Sequence, residues 1–369
     1  MAILEFESIT KQFGDVIAVH DLSFKTEDGE FLVILGPSGA GKTTTLKITC
    51  GLVLPTQGRV ILNGENITKV PPYKRDIAMT FENYSLYPHM TIYNNMAYPL
   101  RAEKGMFSES EIKEKVVTVA RMLHIDPLLQ RFPAEASGGQ KQRIALGRTM
   151  VRDPKIYLLD EPLAHLDAKI RVELREEFHR LEALKRSTTI YVTHDYTEAL
   201  SLGDRIMVLD KGELLQVDSP EAIFSRPLGL EVARQVGQPE INSIECKMKR
   251  NGGRFLLQSV EETGFSVYPS RALTDAVRKY KKNRIILGIR PQDISIIANK
   301  RKTSIQATVD VFQPLGSEGV LTIDVGKLKL VALVDPETNV SHKTTVTLYF
   351  DSESLYLFDI DTKKNIALQ

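Results

Sequence analysis

Short runs of consecutive apolar residues recur along the first part of the chain, each bounded by glycine, proline or charge; Phe31-Leu32-Val33-Ile34-Leu35 is the clearest. Such runs, with no polar alternation, are the pattern of strands buried on both faces in a parallel sheet covered by helices. Strands are predicted at 31–35, 77–81, 156–159, 189–192 and 205–209. Between the second and third, two stretches with helical spacing, 109–123 and 140–150, follow each other with no strand signal, which predicts a helical subdomain at about 86–152. From about residue 239 the pattern changes to short strands punctuated by Gly, Asn, Asp and Pro, at 255–258, 285–289, 305–312, 320–325, 328–333, 344–350 and 355–358, with one helix at 270–280. The expectation is an α/β domain over 1–238 followed by an all-β, barrel-like domain over 239–369. No low-complexity tract or fixed-period repeat interrupts this plan.

A chain of 369 residues accommodates two or three domains, and 48 Lys+Arg against 47 Asp+Glu leave a net charge of +1. No bulk field therefore draws the chain to nucleic acid or anionic lipid. The run Lys279-Tyr280-Lys281-Lys282-Asn283-Arg284 reads as a solvated helix end ahead of an oligonucleotide surface. No segment approaches the roughly 18 apolar residues of a membrane span. The start, Met1-Ala2-Ile3-Leu4-Glu5-Phe6, lacks the basic flank and apolar core of an export signal. The chain is expected in the cytosol, reaching a membrane only through a partner. Cys50 and Cys246 lie far apart with no metal-type spacing and are expected as small buried residues.

The candidate chemistry begins where the first apolar run ends, at Gly36-Pro37-Ser38-Gly39-Ala40-Gly41-Lys42-Thr43, with Thr44 following. Glycines between a buried strand and a helix let backbone N–H groups turn inward around phosphate oxygens. Lys42 would then reach the β- and γ-phosphates of a nucleoside triphosphate and the Thr43 hydroxyl would ligate Mg²⁺. A second apolar strand, Ile156-Tyr157-Leu158-Leu159, ends in Asp160-Glu161. In isolation that pair reads equally as a solvated turn. At the carboxyl edge of a buried strand in a chain with a phosphate loop, Asp160 is expected to hold Mg²⁺ directly or through water, and Glu161 is the candidate to orient and polarise the attacking water.

About twenty residues upstream of that strand stands Ala136-Ser137-Gly138-Gly139-Gln140. With this segment the chain resembles the ATP-binding subunits of ABC transporters, whose signature is Ser-Gly-Gly-Gln ahead of a strand ending in Asp-Glu. The resemblance extends to Ala164-His165-Leu166-Asp167, similar to the family's D-loop, to His194 at the place of its switch histidine, and to Phe13, similar to its adenine-stacking aromatic. It implies a P-loop nucleotide-binding domain with a helical subdomain, and ATP and Mg²⁺ as ligands. It also implies a two-fold dimer in which each ATP lies between Lys42 of one chain and Ser137, Gly138, Gly139 and Gln140 of the other, with Asp167 acting across the interface. His194, otherwise an ordinary surface histidine, is implied to bond the γ-phosphate.

Two positions depart from the family pattern. Glu82 stands where the family has a glutamine that touches Mg²⁺ and the reacting water. A carboxylate keeps the ligating oxygen but loses the amide donor and adds negative charge. Three readings follow: a tolerated ligand swap, a tuned and slower site, or one member of a heteromeric pair, the first two favoured because Lys42, Asp160, Glu161 and His194 are in place. Ala136 replaces a leucine at a position expected to pack. The segment Tyr84-Ser85-Leu86-Tyr87-Pro88-His89-Met90 reads either as subdomain core or, by the resemblance, as the groove for a helix of the membrane subunits.

The carboxy-terminal part, with Leu287-Gly288-Ile289-Arg290-Pro291 and Val311-Phe312-Gln313-Pro314-Leu315-Gly316, resembles the OB-like regulatory domain (TOBE/MOP-type) of maltose-type importer ATPases. Gly237-Gln238-Pro239-Glu240-Ile241-Asn242 leans to the sugar and glycerol-3-phosphate branch over polyamine, sulfate or iron importers. The implied partners are a second ATPase subunit, identical or related, two transmembrane permease subunits and, indirectly, an external solute-binding protein at the cytoplasmic face of a bacterial or archaeal membrane. A soluble ABC ATPase acting on nucleic acid or ribosomes would carry paired cassettes or a long coiled-coil insertion, and neither is present. A regulatory module with vestigial hydrolysis conflicts with intact Glu161 and His194.

Overall fold

The computed structural model describes residues 3–102, 105–164, 166–185, 187–261, 264–298 and 303–368. The chain divides into two compact units, Met1–Glu221 and Ala222–Gln369. In the first, a six-stranded sheet runs in the order Glu213–Asp218, Arg205–Asp210, Phe31–Leu35, Thr188–Thr193, Ile156–Asp160, Ile77–Thr80. All its pairings are parallel except the one at the Glu213–Asp218 edge. Every residue of Phe31–Leu35, Ile156–Asp160 and Thr188–Thr193 is buried, as strands covered on both faces require.

The register brings the working ends of the strands level. Leu35 pairs with Thr193, Val192 with Asp160, and Leu159 with Thr80, so the residues that follow each strand emerge side by side. A second, antiparallel sheet of Val16–Lys25, Leu4–Phe13, Gln57–Leu62 and Glu65–Asn66 is not among the sequence-predicted elements. Its strands are irregular, with register shifts at Phe6/Ile9, Ile9/Lys11 and Lys11/Gln12, which break the alternation that would have announced them. Helices Ile92–Ala102, Glu109–Met122 and Gly138–Met150 occupy the interval between Ile77–Thr80 and Ile156–Asp160.

The second unit pairs a five-stranded sheet with a four-stranded one over a common core that includes Ile244, Leu287, Val309, Leu321, Leu348 and Leu357. Asn242 ties the sheets together: its amide donates to the Ile289 and Val331 carbonyls at 3.1 and 2.8 Å and accepts from the Val331 N–H at 2.7 Å. The compact division falls before the change in sequence pattern near residue 239, because Pro220–Ser225 and Leu230–Gln235 lead into this unit. Arg290, 2% exposed, donates to the Val236 and Phe224 carbonyls and stacks on the Phe224 ring at 4.1 Å.

The helix that starts at the phosphate loop, Lys42–Thr49, is anchored at its far end by Arg75, 2% exposed. The guanidinium donates to the carbonyls of Ile48, Thr49, Thr68 and Val70 at 2.8–3.0 Å. A cation there opposes the partial negative charge of the helix end, and no lysine could serve four acceptors. Arg75→Ala should therefore lower the stability of the chain by about 3 kcal/mol, read from urea unfolding followed by circular dichroism. A loss indistinguishable from zero would mean that water replaces the clamp.

Candidate functional site

The site is assembled at the level strand ends. Phe31–Leu35 delivers the glycine-rich loop, whose conformation needs glycine at particular places: Gly39 and Gly41 have φ of 79° and 96°. A Cβ on Gly41 would stand 2.4 Å from the Ala18 carbonyl oxygen, and one on Gly36 2.5 Å from that of Leu209. The loop is thus packed against Val16–Lys25, the strand joined by a tight turn to the one that ends at Phe13. Phe13 is exposed there, with the Lys11 ammonium 4.7 Å from its ring centre. Pro37, Ser38 and Gly39 form the exposed rim of the loop, Ala40 is buried, and Thr44 continues the helix.

Lys42 is 6% exposed; its ammonium donates to the Gly36 and Pro37 carbonyls at 2.8 and 3.0 Å and lies 3.8 Å from a Glu161 carboxylate oxygen. Thr43 donates its hydroxyl to Asp160 Oδ1 at 3.1 Å across 117 residues of sequence. Glu161 continues to His194, whose Nδ1 is 3.1 Å from Glu161 Oε2. Five residues from three strand ends therefore form one connected cluster. Glu82, exposed two residues beyond Ile77–Thr80, adds its negative charge to the environment of Lys42 and Asp160.

Charge in this cluster is unbalanced. Burial, with Glu82 and Glu161 nearby, pushes the Asp160 carboxyl up to about 6 despite the Thr43 hydrogen bond. Burial also holds the Lys42 ammonium below its ordinary value, against the opposing pull of the three carboxylates. Glu161 is held in a left-handed conformation, φ 45°, costly for a side chain of this kind. Its backbone is fixed on both sides: its N–H donates to the Val192 carbonyl at 3.0 Å and its carbonyl accepts from the Gln142 amide at 2.9 Å.

Ser137 and the two glycines after it are placed elsewhere. Ser137 caps the helix Gly138–Met150 and exchanges bonds with Gln140: the Gln140 N–H donates to Ser137 Oγ at 3.3 Å, and the Ser137 N–H donates to Gln140 Oε1 at 2.9 Å. Ser137 and Gly138 are exposed, Ala136 is buried, and these bonds close on the segment itself, not on the phosphate loop. Asp167 is exposed just before Ala168–Lys185 and accepts from the Ile170 N–H at 3.0 Å; its neighbour His165 lies outside the described residues.

Several residues of this neighbourhood carry no signal in the sequence. Gln142, 3% exposed, links the Gly138–Met150 helix to the Glu161 backbone. Arg171 joins the loop after Asp160-Glu161 to that of His194, donating to the Leu166 carbonyl at 3.3 Å and pairing with Asp195 at 3.6 Å. Arg148 donates to the Tyr84 and Ser85 carbonyls.

The family model described as "ABC transporter" matches residues 19–164, and that described as "TOBE domain" matches residues 287–358. The chain is 39% identical to the trehalose/maltose import ATP-binding protein MalK of Thermococcus litoralis, over 99% of this chain and 100% of the relative. It is 40% identical to the xylose/arabinose import ATP-binding protein XacJ of Haloferax volcanii, over 98% and 95%. With the sn-glycerol-3-phosphate import ATP-binding protein UgpC of Shigella sonnei it shares 37% identity over 99% and 100%. Among solved structures, the dimeric ATP-binding cassette MJ0796 bound to ADP and Pi superposes with a TM-score of 0.56 at 29% identity, covering 59% of this chain and 98% of that one. Full-length similarity at this level joins the fold, the loop and the carboxylate cluster into one assignment: the chain belongs to the ATP-hydrolysing, ATP-binding subunits of ABC transporters, in the maltose-type importer branch.

Proposed function

We propose that this chain energises uptake of a sugar, sugar alcohol or glycerol-3-phosphate-like solute, two copies closing on two MgATP and reopening on hydrolysis. The single observation that carries the catalytic half is the continuous contact Thr43–Asp160 and Lys42–Glu161–His194 at the level strand ends. The donor set fits Mg²⁺ held together with nucleotide phosphates. A hydroxyl and one or two carboxylates, here Thr43, Asp160 and Glu82, are what that ion takes from protein in such sites. Among the described residues no group of three His, Cys, Asp or Glu could hold a metal by itself. When bound, the ion would supply positive charge to a cluster in which Lys42 faces three carboxylates.

In this reading Lys42 and the loop N–H groups orient the phosphates. Glu161 accepts a hydrogen bond from the attacking water, and its carboxylate is aimed by the His194 ring on one side and the strained, doubly anchored backbone on the other. The helix start at Ser137, Gly138 and Gly139, exposed at its first two residues, supports the shared site: it offers N–H groups and the positive end of a 13-residue helix to an anion outside its own chain. An isologous dimer would supply that anion from the second subunit, and in this reading the exposed Asp167 acts across the interface.

Segment 84–90 is half-exposed and aromatic, and we infer that it receives a helix of the permease subunits. Among the described residues no helix is long and apolar enough to cross a membrane, so a membrane role at the cytoplasmic face runs through those subunits. The solute class rests on the relatives' names, which specify import of trehalose/maltose, xylose/arabinose and sn-glycerol-3-phosphate.

Glu161→Gln should leave MgATP binding intact and reduce hydrolysis by about 10²-fold or more. Light scattering should then show an ATP-dependent dimer; a monomer at saturating MgATP would sink the shared-site reading. Affinity purification of the tagged chain from its own cells should recover permease subunits and a solute receptor. Calorimetry of that receptor should show binding of a disaccharide, pentose or glycerol-3-phosphate, and binding of a polyamine or sulfate instead would overturn the solute class.

The charge imbalance makes a further prediction. A carboxyl raised from 3.8 to about 6 binds its proton more tightly in the folded state, so its stability contribution is complete below pH 3.8 and is lost as pH rises through about 6. In the absence of nucleotide, Asp160→Asn should therefore be more stable than the parent at pH 8, by about 1–3 kcal/mol. The difference should vanish near pH 4. Denaturant unfolding at the two pH values checks it, and equal stability at pH 8 would refute the imbalance.

A further inference from the structure

Tyr84 and Ser85 are consecutive non-glycine residues in the left-handed region, with φ of 62° and 45°. A bulky residue in that region costs on the order of 1–2 kcal/mol, so a pair of them needs a holder. Arg148, in the last turn of Gly138–Met150, is that holder: its guanidinium donates to the Ser85 carbonyl at 2.7 Å and the Tyr84 carbonyl at 3.1 Å. It also lies 5.5 Å from the centre of the Tyr87 ring. Burial lowers its pKa, opposed by the charge interaction with Tyr87. The same segment approaches the other end of the helix: a Cβ built on Gly138 would stand 3.9 Å from the Tyr84 hydroxyl. Segment 84–87 thus spans the helix whose start carries Ser137 and Gly138. Asn95, fully buried, completes the cradle by accepting from the Tyr87 N–H and donating to the Tyr87, Met90 and Thr91 carbonyls.

We propose that Arg148 is a positioning residue that makes the partner-facing helix and the permease-facing segment move as one body. This rests on the reading proposed above, in which ATP closes the dimer at Ser137 and segment 84–90 meets the permease. A planar fork of donors is what the task needs, since two carbonyls of adjacent residues must be held at once. Without Arg148 the helix could still close on nucleotide, but the left-handed pair would relax and the movement would stop short of residues 84–90.

The chain contains no tryptophan, so the substitution His89→Trp at an exposed position supplies a single fluorescent reporter in the segment. It is placed in a Glu161→Gln background that holds MgATP. With Arg148 intact, MgATP should shift the indole emission. Adding Arg148→Ala should remove most of that shift while the Kd for a fluorescent ATP analogue stays within about threefold, and Arg148→Lys, able to serve one carbonyl at a time, should fall between. An undiminished shift with alanine at 148, or with lysine should the alanine variant fail to fold, overturns the proposal. MgATP binding with no shift of the indole emission when Arg148 is present would instead overturn the reading on which it rests, and the proposal with it.

Discussion

The chemistry of this protein depends on one geometric constraint, the level register of four parallel strands. Leu35 opposite Thr193, Val192 opposite Asp160 and Leu159 opposite Thr80 put four strand exits on one line at the spacing of a sheet. Side chains that leave those exits need only short reaches to meet. That is why Thr43 finds Asp160, and His194 finds Glu161, without any special loop to carry them. A slip of one residue in any of these strands would move its exit by about 3.3 Å relative to its neighbours and exchange the side chains packed on its two buried faces, so the packing that stabilises the sheet also sets the active-site geometry.

Onto that rigid edge the chain loads charge that it does not neutralise. Asp160 is buried with its hydroxyl partner Thr43 in place of a contacting cation, and Lys42, whose ammonium faces the cluster, is partly spent on loop carbonyls. Such a cluster is a cost to the fold, tolerable because the flanking strands are buried throughout. It becomes a gain only when positive charge arrives, which links the energetics of the cluster to the binding of a cationic ligand. The left-handed Glu161 is a second cost of the same kind, held by Val192 on one side and Gln142 on the other.

The central sheet was legible because its strands are unbroken apolar runs, and the loop, the Asp-Glu pair and His194 were legible because each stands immediately after one. The antiparallel sheet of Leu4–Phe13, Val16–Lys25 and Gln57–Leu62 was not, since bulges destroy the two-residue alternation that would reveal it. Residues acting through tertiary contacts were equally hidden. Gln142 is one of two glutamines in Gln140-Lys141-Gln142, and only the fold shows that the first closes a cap while the second holds Glu161. The motif around Arg290 reads in sequence as a family mark. In the structure it is the clamp that draws the segment from residue 222 into the β-rich unit.

Three arginines that a composition count treats as surface charge turn out to share one physical role. Arg75, Arg148 and Arg290 each spend their guanidinium on backbone carbonyls, not on a carboxylate. A buried ion pair would cost the desolvation of two charges and bind one side chain to another. A guanidinium on carbonyls desolvates one delocalised cation and binds the chain itself, so it fixes backbone position in directions that apolar packing leaves loose. The places so fixed are the end of the phosphate-loop helix, the left-handed turn after Glu82 and the entry to the β-rich unit. Each is a point where one element is tied to the backbone of another, and a planar clamp fixes that junction where a hydrophobic contact could slide.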